Sequence, residues 1–444
     1  MNHEEYKLPL GKKASLVSIV CEKFENHSTV LETNNSLREL RELLRTLGLV
    51  AGDEYVQNRK QIDPATMLGE GKLQEIADAA REEHSEILVF DFELTASQAR
   101  NIKEITKLEI VDRNMVILEI FAHHARTKEA KIQIEISRLK YLLPRLTSMW
   151  GHFSKQRASG AAIGGEGEQQ LELDRRMVRE RIEFFKKQLD EVQKSREQQR
   201  KKRQNQAVTA ALVGYTNAGK SSLMNRLCKV NVLEENKLFA TLDSTFRTLN
   251  PDSKPPMIMI DTVGFISNLP NTLIQGFKTT LESAMEADLL IIVCDISDPN
   301  YQKHLRVTQE VLKDLKIEDK EQIIVFNKKD ILNDPVRARI IMRNYPDSFL
   351  VSSYEEEDMK DLRNYIISFF LSKQDHYDLF IPYEAGEAHS KIRANANIMN
   401  TVSHEQGIFY RIRVPDFIFQ KLGLNSFVLA PSEAKEWEQT RPSY

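Results

Sequence analysis

The chain has 444 residues, enough for about three domains of ordinary size. Hydrophobic residues make up 41 % and charged residues 29 %, a globular balance that excludes collagen-like and largely disordered chains. The longest apolar run, Leu289–Cys294, is far shorter than the ~20 residues of a membrane-spanning helix. The first residues show no secretory signal, and Cys21, Cys228 and Cys294 show no metal-binding spacing. We therefore expect a cytoplasmic protein without integral membrane association.

The net charge of -3 hides an uneven distribution of charge. The segment from Arg175 to Arg203 holds 12 lysine or arginine residues against 5 acidic ones, so the rest of the chain is mildly acidic. A nucleic-acid partner is plausible for this segment, but not for the whole surface.

Up to residue 128, patterns typical of strands and helices alternate. Apolar residues at Leu37, Leu40, Leu44 and Leu47 share a helical face, and Gly48 is placed to end that helix. Further strands are predicted at 15–20, 87–91 and 108–112, and further helices at 72–83 and 97–106. This alternation predicts a small parallel α/β sheet covered by helices.

The next segment has the spacing of two long, packed helices. Apolar residues recur every three or four positions from Ile132 to Leu143, and again from Val178 to Val192. Between them, 151–167 holds five of the 17 glycines. We predict an antiparallel helical hairpin with a glycine-rich tip. The alternative is a coiled-coil spacer whose basic face is only solvated.

From Ala207 to about Lys373 the alternation returns and predicts a second doubly wound α/β unit. Its strands are predicted at 208–213, 257–260, 289–294, 323–326 and 349–351. The last residues predict a small βαββ unit, with a strand at 379–382, a helix at 388–399 and a hairpin of 401–403 with 409–414. The predicted domains are therefore 1–128, 129–206, 207–373 and 374–444: an α/β domain, the hairpin, a P-loop domain and a small α+β domain.

The strongest chemical signal runs from Gly214 to Ser221, between a predicted strand and a predicted helix. It is the P-loop pattern in its expected context. The glycines let backbone N–H groups surround the phosphates, and the helix N-terminus favours negative charge. Lys220 is expected to reach the outer phosphates and Ser221 to ligate Mg²⁺.

A second motif, Asp261-Thr-Val-Gly264, follows the next strong strand. Asp261 is expected to hold Mg²⁺ through water, and the Gly264 N–H to sense the γ-phosphate. A threonine between the two motifs is expected to close on Mg²⁺ and the γ-phosphate. We assign Thr241 to that role, with Thr245 as the alternative.

A third motif, Asn327-Lys328-Lys329-Asp330, predicts guanine specificity. A carboxylate that accepts two N–H bonds from guanine rejects adenine, which lacks these donors. Ser352 and Ser353 lie where a backbone N–H could contact the guanine O6. The motifs together predict GTP and GDP as ligands, with these expected contacts: Gly214, Asn217, Ala218, Gly219, Lys220, Ser221, Ser222, Asp261, Gly264, Asn327, Lys328, Asp330, Ser352 and Ser353.

The residue after Gly264 is Phe265, where many GTPases have a glutamine that orients water. The sequence therefore predicts slow intrinsic hydrolysis. The residues expected to take part in it are Lys220, Thr241 and Gly264. GTPases with asparagine at the Asn217 position often bind K⁺ beside the phosphates, which makes K⁺ a second candidate ion.

Two weaker signals are discounted. The Gly-Glu-Gly-Lys stretch at 69–72 resembles a phosphate loop, but by itself it usually marks a turn. His123 and His124 are adjacent on a predicted helix, so they face different directions and are poor joint metal ligands.

The chain resembles the HflX family of GTPases. The resemblance rests on the P-loop, on Ala240-Thr-Leu-Asp243, on Asp261–Ile266 and on three stretches outside the P-loop domain. These stretches are 111–121, Leu139–Arg145 and Gly165–Arg176. The family usually has Gly-Pro-Gly-Glu-Thr at the hairpin tip, where this chain has Glu166 and Gln169 instead of proline and threonine.

The resemblance implies a GTPase that binds the large ribosomal subunit and splits ribosomes, particularly stalled ones under stress. The tip would then approach ribosomal RNA, and the RNA would stimulate hydrolysis. The expected RNA contacts are Lys155, Arg157, Gly164, Gly165, Arg175 and Arg176, since cations neutralise phosphates and glycine allows close approach. We expect a monomer. Alternatives are a GTPase in ribosome assembly or RNA modification, and a non-enzymatic adaptor.

Overall fold

The structure is a computed structural model that describes residues 11–24, 27–146, 166–204, 207–229, 245–250, 253–267, 281, 284–332 and 334–430. These residues form two compact units. The first contains the residues up to Gln193 together with Ile266 and Ser267, and the second contains the others. The fold class is α/β, as predicted. The four domain boundaries given above remain a prediction.

The first unit begins with a four-stranded parallel sheet of order β2-β1-β3-β4. Its elements are β1 (Lys13–Val20), α1 (Val30–Leu47), β2 (Val50–Asn58), α2 (Glu70–Glu82), β3 (Ile87–Phe90), α3 (Ala96–Thr106), β4 (Glu109–Asp112) and α4 (Arg113–His124). Gly48 ends α1 in the left-handed conformation, at φ 83°, so this predicted stop is confirmed.

Strand β2 is absent from the sequence prediction. It lies at the edge of the sheet, and most of its side chains are exposed or half-buried. A strand with little buried surface has no apolar alternation to detect. The central strands β1 and β3 are almost fully buried, because helices cover both faces of a parallel sheet.

Charged residues at the ends of β3 and β4 tie this unit together. Arg113 is buried and donates to the Asp91 carboxylate at 2.7 Å, and it also contacts Glu39. Asp112 accepts from the Met115 N–H at 3.0 Å and pairs with Arg145 at 3.0 Å. Buried charges need such partners. Asp112 and Arg145 belong to two of the stretches that resemble the HflX family, so these two stretches meet in one ion pair.

The hairpin helices are α5 (Lys128–Leu142) and α6 (Glu166–Gln204). The predicted apolar faces of the two helices pack in one cluster that contains Ile132, Ile136, Val178 and Ile182, with Phe185, Leu189 and Val192 against it. Helix packing through these faces is thus confirmed. Of the predicted glycine-rich tip at 151–167, residues 151–165 lie outside the described residues, and 166–167 begin α6.

The second unit contains a six-stranded sheet of order β10-β9-β8-β5-β7-β6. Its elements are β5 (Val208–Gly214), α7 (Lys220–Leu227), β6 (Thr245–Asn250), β7 (Met257–Asp261), β8 (Leu289–Asp295), α8 (Tyr301–Asp314), β9 (Gln322–Asn327), α9 (Pro335–Asn344), β10 (Phe349–Leu350) and α10 (Glu356–Ser372). All neighbouring strands pair in parallel except β6, which pairs antiparallel to β7 and was not predicted. The carboxyl ends of β5, β7 and β9 therefore meet at one edge, where ligands bind in such sheets.

The chain continues into β11 (Asp375–Pro382), α11 (Gly386–Asn395), β12 (Asn397–His404), β13 (Gly407–Val414) and α12 (Asp416–Leu422). This is the predicted βαββ order, with an antiparallel sheet of order β11-β13-β12. The helix predicted over 388–399 is wrong at its end, because Asn397 already pairs with Arg413 in the sheet. Cross-strand pairing overrides helical periodicity there.

Candidate nucleotide site

The P-loop connects the central strand β5 to α7, and its two glycines are required by close contacts. A Cβ on Gly214 would lie 2.2 Å from the Val293 carbonyl oxygen. A Cβ on Gly219, whose φ is +90°, would lie 2.2 Å from Asn327 Nδ2. Between them Asn217 has φ 60° and is exposed. The loop thus brings its backbone to the N-terminus of α7, an arrangement that suits an anion.

Lys220 is buried within this loop. Its Nζ donates to the Tyr215 carbonyl oxygen at 2.9 Å and to that of Gly214 at 3.2 Å. Burial lowers the pKa of Lys220 to about 8, while the charge of Asp261 acts to raise it. Its ammonium therefore titrates close to physiological pH.

Ser221 and Asp261 bring two oxygen ligands together. The Ser221 hydroxyl donates to Asp261 Oδ2 at 2.6 Å, and the carboxylate is buried at the end of β7. Hard oxygen donors of this kind suit Mg²⁺, which usually takes one or two protein ligands, several waters and substrate phosphates. In the described part of the chain, no three His, Cys, Asp or Glu side chains form a group that could hold a metal by themselves. The residues at this site therefore fit Mg²⁺ shared with a nucleotide.

Gly264 and Phe265 lie directly against the P-loop. The Phe265 N–H donates to the Gly214 carbonyl oxygen at 3.0 Å, and the Thr216 N–H donates to that of Phe265 at 2.7 Å. A Cβ on Gly264 would lie 2.7 Å from Thr216 Cα and 2.9 Å from Lys220 Nζ. Phe265 itself is buried. The second motif is thus joined to the first by a backbone bridge.

Asn327 connects the third motif to the P-loop. Its Nδ2 donates to the Ala218 carbonyl oxygen at 3.0 Å, and its Oδ1 accepts from the Ser353 N–H at 3.2 Å. Lys328 has φ 66° and pairs with Asp295 at 2.7 Å. Asp330 is exposed in a short 3-10 helix. Asn327 therefore supports the loop, while the Asp330 carboxylate is open to a base.

Ser352 and Ser353 are buried, and their N–H groups already donate within the protein. The Ser352 N–H donates to Asp358 Oδ2 at 2.7 Å, and that of Ser353 donates to Asn327. Lys329 pairs with both Asp358 and Glu355 at 2.7 Å. These serines brace the third motif, and their predicted contact with the guanine O6 stays a prediction.

Sequence reasoning missed several residues that position the site. Asp358 is one of them, and His304 of α8 is another. The His304 ring stacks on the Tyr215 ring of the P-loop, with centroids 3.9 Å apart and planes at 11°. Neither residue belongs to a motif, so only the packing of α8 and α10 reveals their role.

Some predicted residues lie away from this edge or outside the described ranges. Thr241, Lys155, Arg157, Gly164 and Gly165 lie outside the described residues. Thr245 begins β6 and pairs with Asp261. On α6, Arg175 is half-buried, whereas Arg176 is exposed and pairs with Glu180 at 2.8 Å.

The residues of the two discounted signals make contacts within the protein. Gly69 precedes α2, and its N–H donates to Gln57 Oε1 at 3.1 Å. Lys72 pairs with Glu75 on the same helix. His123 is exposed at the end of α4, and His124 Nδ1 contacts the Ile120 carbonyl oxygen at 2.8 Å.

Comparison with known families covers most of the chain. The family profile described as GTP-binding GTPase N-terminal matches residues 34–122, and that of the GTP-binding GTPase middle region matches 124–203. The profile described as 50S ribosome-binding GTPase matches 209–328. No helix among the described residues is long and apolar enough to cross a membrane.

Individual relatives agree with these profiles. A GTPase HflX of Lacrimispora saccharolytica is 38 % identical over 396 residues, covering 89 % of this chain and 93 % of the relative. A GTPase HflX of Akkermansia muciniphila is 37 % identical over 429 residues, covering 94 % and 97 %. A solved GTP-binding protein from Sulfolobus solfataricus in complex with GDP is 24 % identical and covers 80 % of this chain and 98 % of its own, with a TM-score of 0.42. By its sequence, this chain belongs to the HflX GTPase family and is a GTP-binding, GTP-hydrolysing enzyme.

Proposed function

We propose that this GTPase splits ribosomes. Its GTP-bound form binds the large ribosomal subunit and displaces contacts between the subunits, and hydrolysis then releases it. The energy for splitting comes from the difference in binding between the GTP and GDP forms. The match of residues 209–328 to a 50S ribosome-binding GTPase supports this partner.

The observation that carries the proposal is a long basic helix that comes directly before the P-loop strand in the chain. Helix α6 is 39 residues long and ends at Gln204, and β5, which carries the P-loop at its end, begins at Val208. Arg176 is exposed on this helix. A long cationic helix suits an RNA-lined site, because lysine and arginine neutralise phosphates without reading sequence.

In the nucleotide site, the P-loop backbone from Gly214 to Gly219 would cradle the phosphates, with Lys220 on the outer ones. Ser221 and Asp261 would hold Mg²⁺, joined by Thr241. That ion would neutralise the charge of the β- and γ-phosphates. Asp330 would accept from the guanine N–H groups, with Asn327 and Lys328 placing the loop around the base. Ser222 and Ala218 would contribute backbone N–H groups.

The test is sedimentation of 70S ribosomes with the full-length protein and GTP, a non-hydrolysable GTP analogue or GDP. GTP and the analogue should convert 70S particles into subunits, with the protein on the larger one, and GDP should not. Lys220→Ala should lose splitting together with nucleotide binding. Deleting 154–164 should spare GTP binding, because the deletion leaves the nucleotide site intact. It should abolish splitting, because it removes the hairpin tip.

The same experiment separates the alternatives. A factor for ribosome assembly or RNA modification would sediment with assembly intermediates or tRNA rather than with mature subunits. An adaptor would bind its partner equally well with or without GTP, and its binding would be insensitive to salt. If the variant that lacks 154–164 still splits ribosomes, the hairpin tip does not displace the contacts between the subunits.

A further inference from the structure

Thr216 carries a buried hydroxyl in the centre of the P-loop. The residue is only 6 % exposed, and its Oγ1 has no hydrogen-bond partner among the residues that the structure describes. A buried hydroxyl without a partner destabilises a protein, so native structures rarely keep one without a reason. A ligand that supplies the missing hydrogen bond would be such a reason.

The position of Thr216 indicates which part of a nucleotide it would meet. A Cβ on Gly264 would lie 2.7 Å from Thr216 Cα, 2.8 Å from its Cγ2 and 2.9 Å from Lys220 Nζ. Thr216 therefore lies against the glycine whose N–H is expected at the γ-phosphate, and beside the lysine expected on the outer phosphates. It occupies the end of the site where hydrolysis takes place.

The position that orients the attacking water in many GTPases carries an apolar residue here. Many GTPases orient the attacking water with a glutamine directly after the glycine of the second motif. Here that residue is Phe265, which is apolar and buried. Its backbone N–H and carbonyl are also engaged, with Gly214 and Thr216. A polar group from elsewhere has to orient the water.

We propose that Thr216 is a catalytic residue whose hydroxyl orients the attacking water. This inference rests on the proposed nucleotide site. A hydroxyl has one donor and two acceptor positions, so Oγ1 can accept from the water while its own hydrogen is donated to a γ-phosphate oxygen. Both bonds would form only when GTP is bound.

The reaction balances without any further reagent. The water oxygen forms a bond to the γ-phosphorus, and the bond from that phosphorus to the β-γ bridging oxygen breaks. The electron pair of the broken bond stays with GDP. The proton lost by the water passes to a γ-phosphate oxygen, which leaves inorganic phosphate. Thr216 contributes orientation and keeps its own proton at the end of the step.

The test compares Thr216→Val with Thr216→Ser in the full-length protein. Valine keeps the branched shape and removes the hydroxyl, and serine keeps the hydroxyl. We expect Thr216→Val to lower single-turnover GTP hydrolysis about 100-fold, the cost of a misoriented reactant, and Thr216→Ser to recover most of the lost rate. GDP binding by Thr216→Val should stay within about threefold of wild type.

A second readout is independent of hydrolysis. Because the hydroxyl has no partner among the described residues, Thr216→Val should unfold at the same temperature as wild type or higher. Hydrolysis by Thr216→Val at the wild-type rate would overturn the proposal. Parallel loss of GDP binding or of thermal stability would also overturn it, since the residue would then be structural. These measurements need no ribosomes, so a failure of ribosome splitting alone would leave Thr216 unaffected.

Discussion

Asn397 binds both backbone polar groups of Lys254. Its Oδ1 accepts from the Lys254 N–H at 3.3 Å, and its Nδ2 donates to the Lys254 carbonyl oxygen at 2.6 Å and to Gln374 Oε1 at 3.0 Å. Lys254 lies between β6 and β7, and β7 ends at Asp261 of the nucleotide site. The C-terminal βαββ module therefore holds the turn that joins these two strands.

Asn397→Ala should destabilise the second unit. It leaves the Lys254 N–H and the Gln374 side chain without these bonds, at a cost of about 1–3 kcal/mol. Urea unfolding should show a lower midpoint. Asn395→Ala is the matched control, because among the described residues the Asn395 amide bonds only to the Lys391 carbonyl oxygen of its own helix at 2.9 Å. Equal stability of the two variants would contradict a bracing role.

Gly264→Ala should separate the second motif from the P-loop. The added Cβ would lie 2.7 Å from Thr216 Cα, and backbone atoms cannot move aside at that distance without shifting the motif. We expect affinity for a non-hydrolysable GTP analogue to fall about tenfold or more relative to GDP, since only the former needs Gly264 at the γ-phosphate.

The control for this prediction is Gly71→Ala, where a Cβ would meet nothing within 4 Å. Because Gly71 lies in helix α2, this change should stabilise slightly, by about 0.5–1 kcal/mol. Equal nucleotide affinities for Gly264→Ala and wild type would show that the close approach has no role in binding.

Nucleotide affinity should fall as pH rises above about 8. Lys220 must be charged to bind phosphate, and its pKa of about 8 lies below the model-peptide value because it is buried. Below this pKa the ammonium is present and affinity is constant. Above it, binding must also take up a proton, so affinity for GDP should fall by about tenfold per pH unit.

Titration calorimetry or fluorescent GDP between pH 7 and 9 would measure this slope. Lys220→Met should bind weakly and without this slope. A wild-type affinity that does not change across this range would mean that Lys220 is not the titrating contact.

Asp330→Asn should change the base that the enzyme accepts. The exposed carboxylate accepts hydrogen bonds, whereas an amide also donates and leaves a guanine N–H unmatched. We expect GTP affinity to fall about 100-fold or more, and XTP, which has an acceptor at that position, to bind better than GTP. Asp319→Asn, at an exposed position of the same unit, should leave GTP binding unchanged. If Asp330→Asn still bound GTP better than XTP, Asp330 would not be the residue that contacts the guanine base.

Hydrolysis should be several-fold faster in KCl than in NaCl if Asn217 contributes to a K⁺ site beside the phosphates. Asn217 is exposed and has φ 60°, so alanine would add backbone strain. Asn217→Gly removes the amide and tolerates this conformation, and it should hydrolyse GTP at the same rate in both salts. Equal turnover of the wild type in both salts would exclude a role for K⁺.

The P-loop motif lies between a strand and a helix, as predicted, because its pattern is encoded locally. Gly214, Lys220 and Ser221 lie within eight residues, and the glycines are required by backbone geometry alone. Buried strands such as β1 and β8 were also predicted, since continuous burial leaves an apolar run. The edge strands β2 and β6 were missed because exposed strands carry no such pattern.

Local motifs and buried elements can therefore be inferred from the order of the residues. The folded chain alone shows which distant residues meet: Arg145 with Asp112, His304 with Tyr215, and Asn397 with Lys254. The folded chain also shows that the Thr216 hydroxyl is buried without a partner among the described residues. Such contacts depend on the packing of elements far apart in the chain, and no local sequence pattern predicts them.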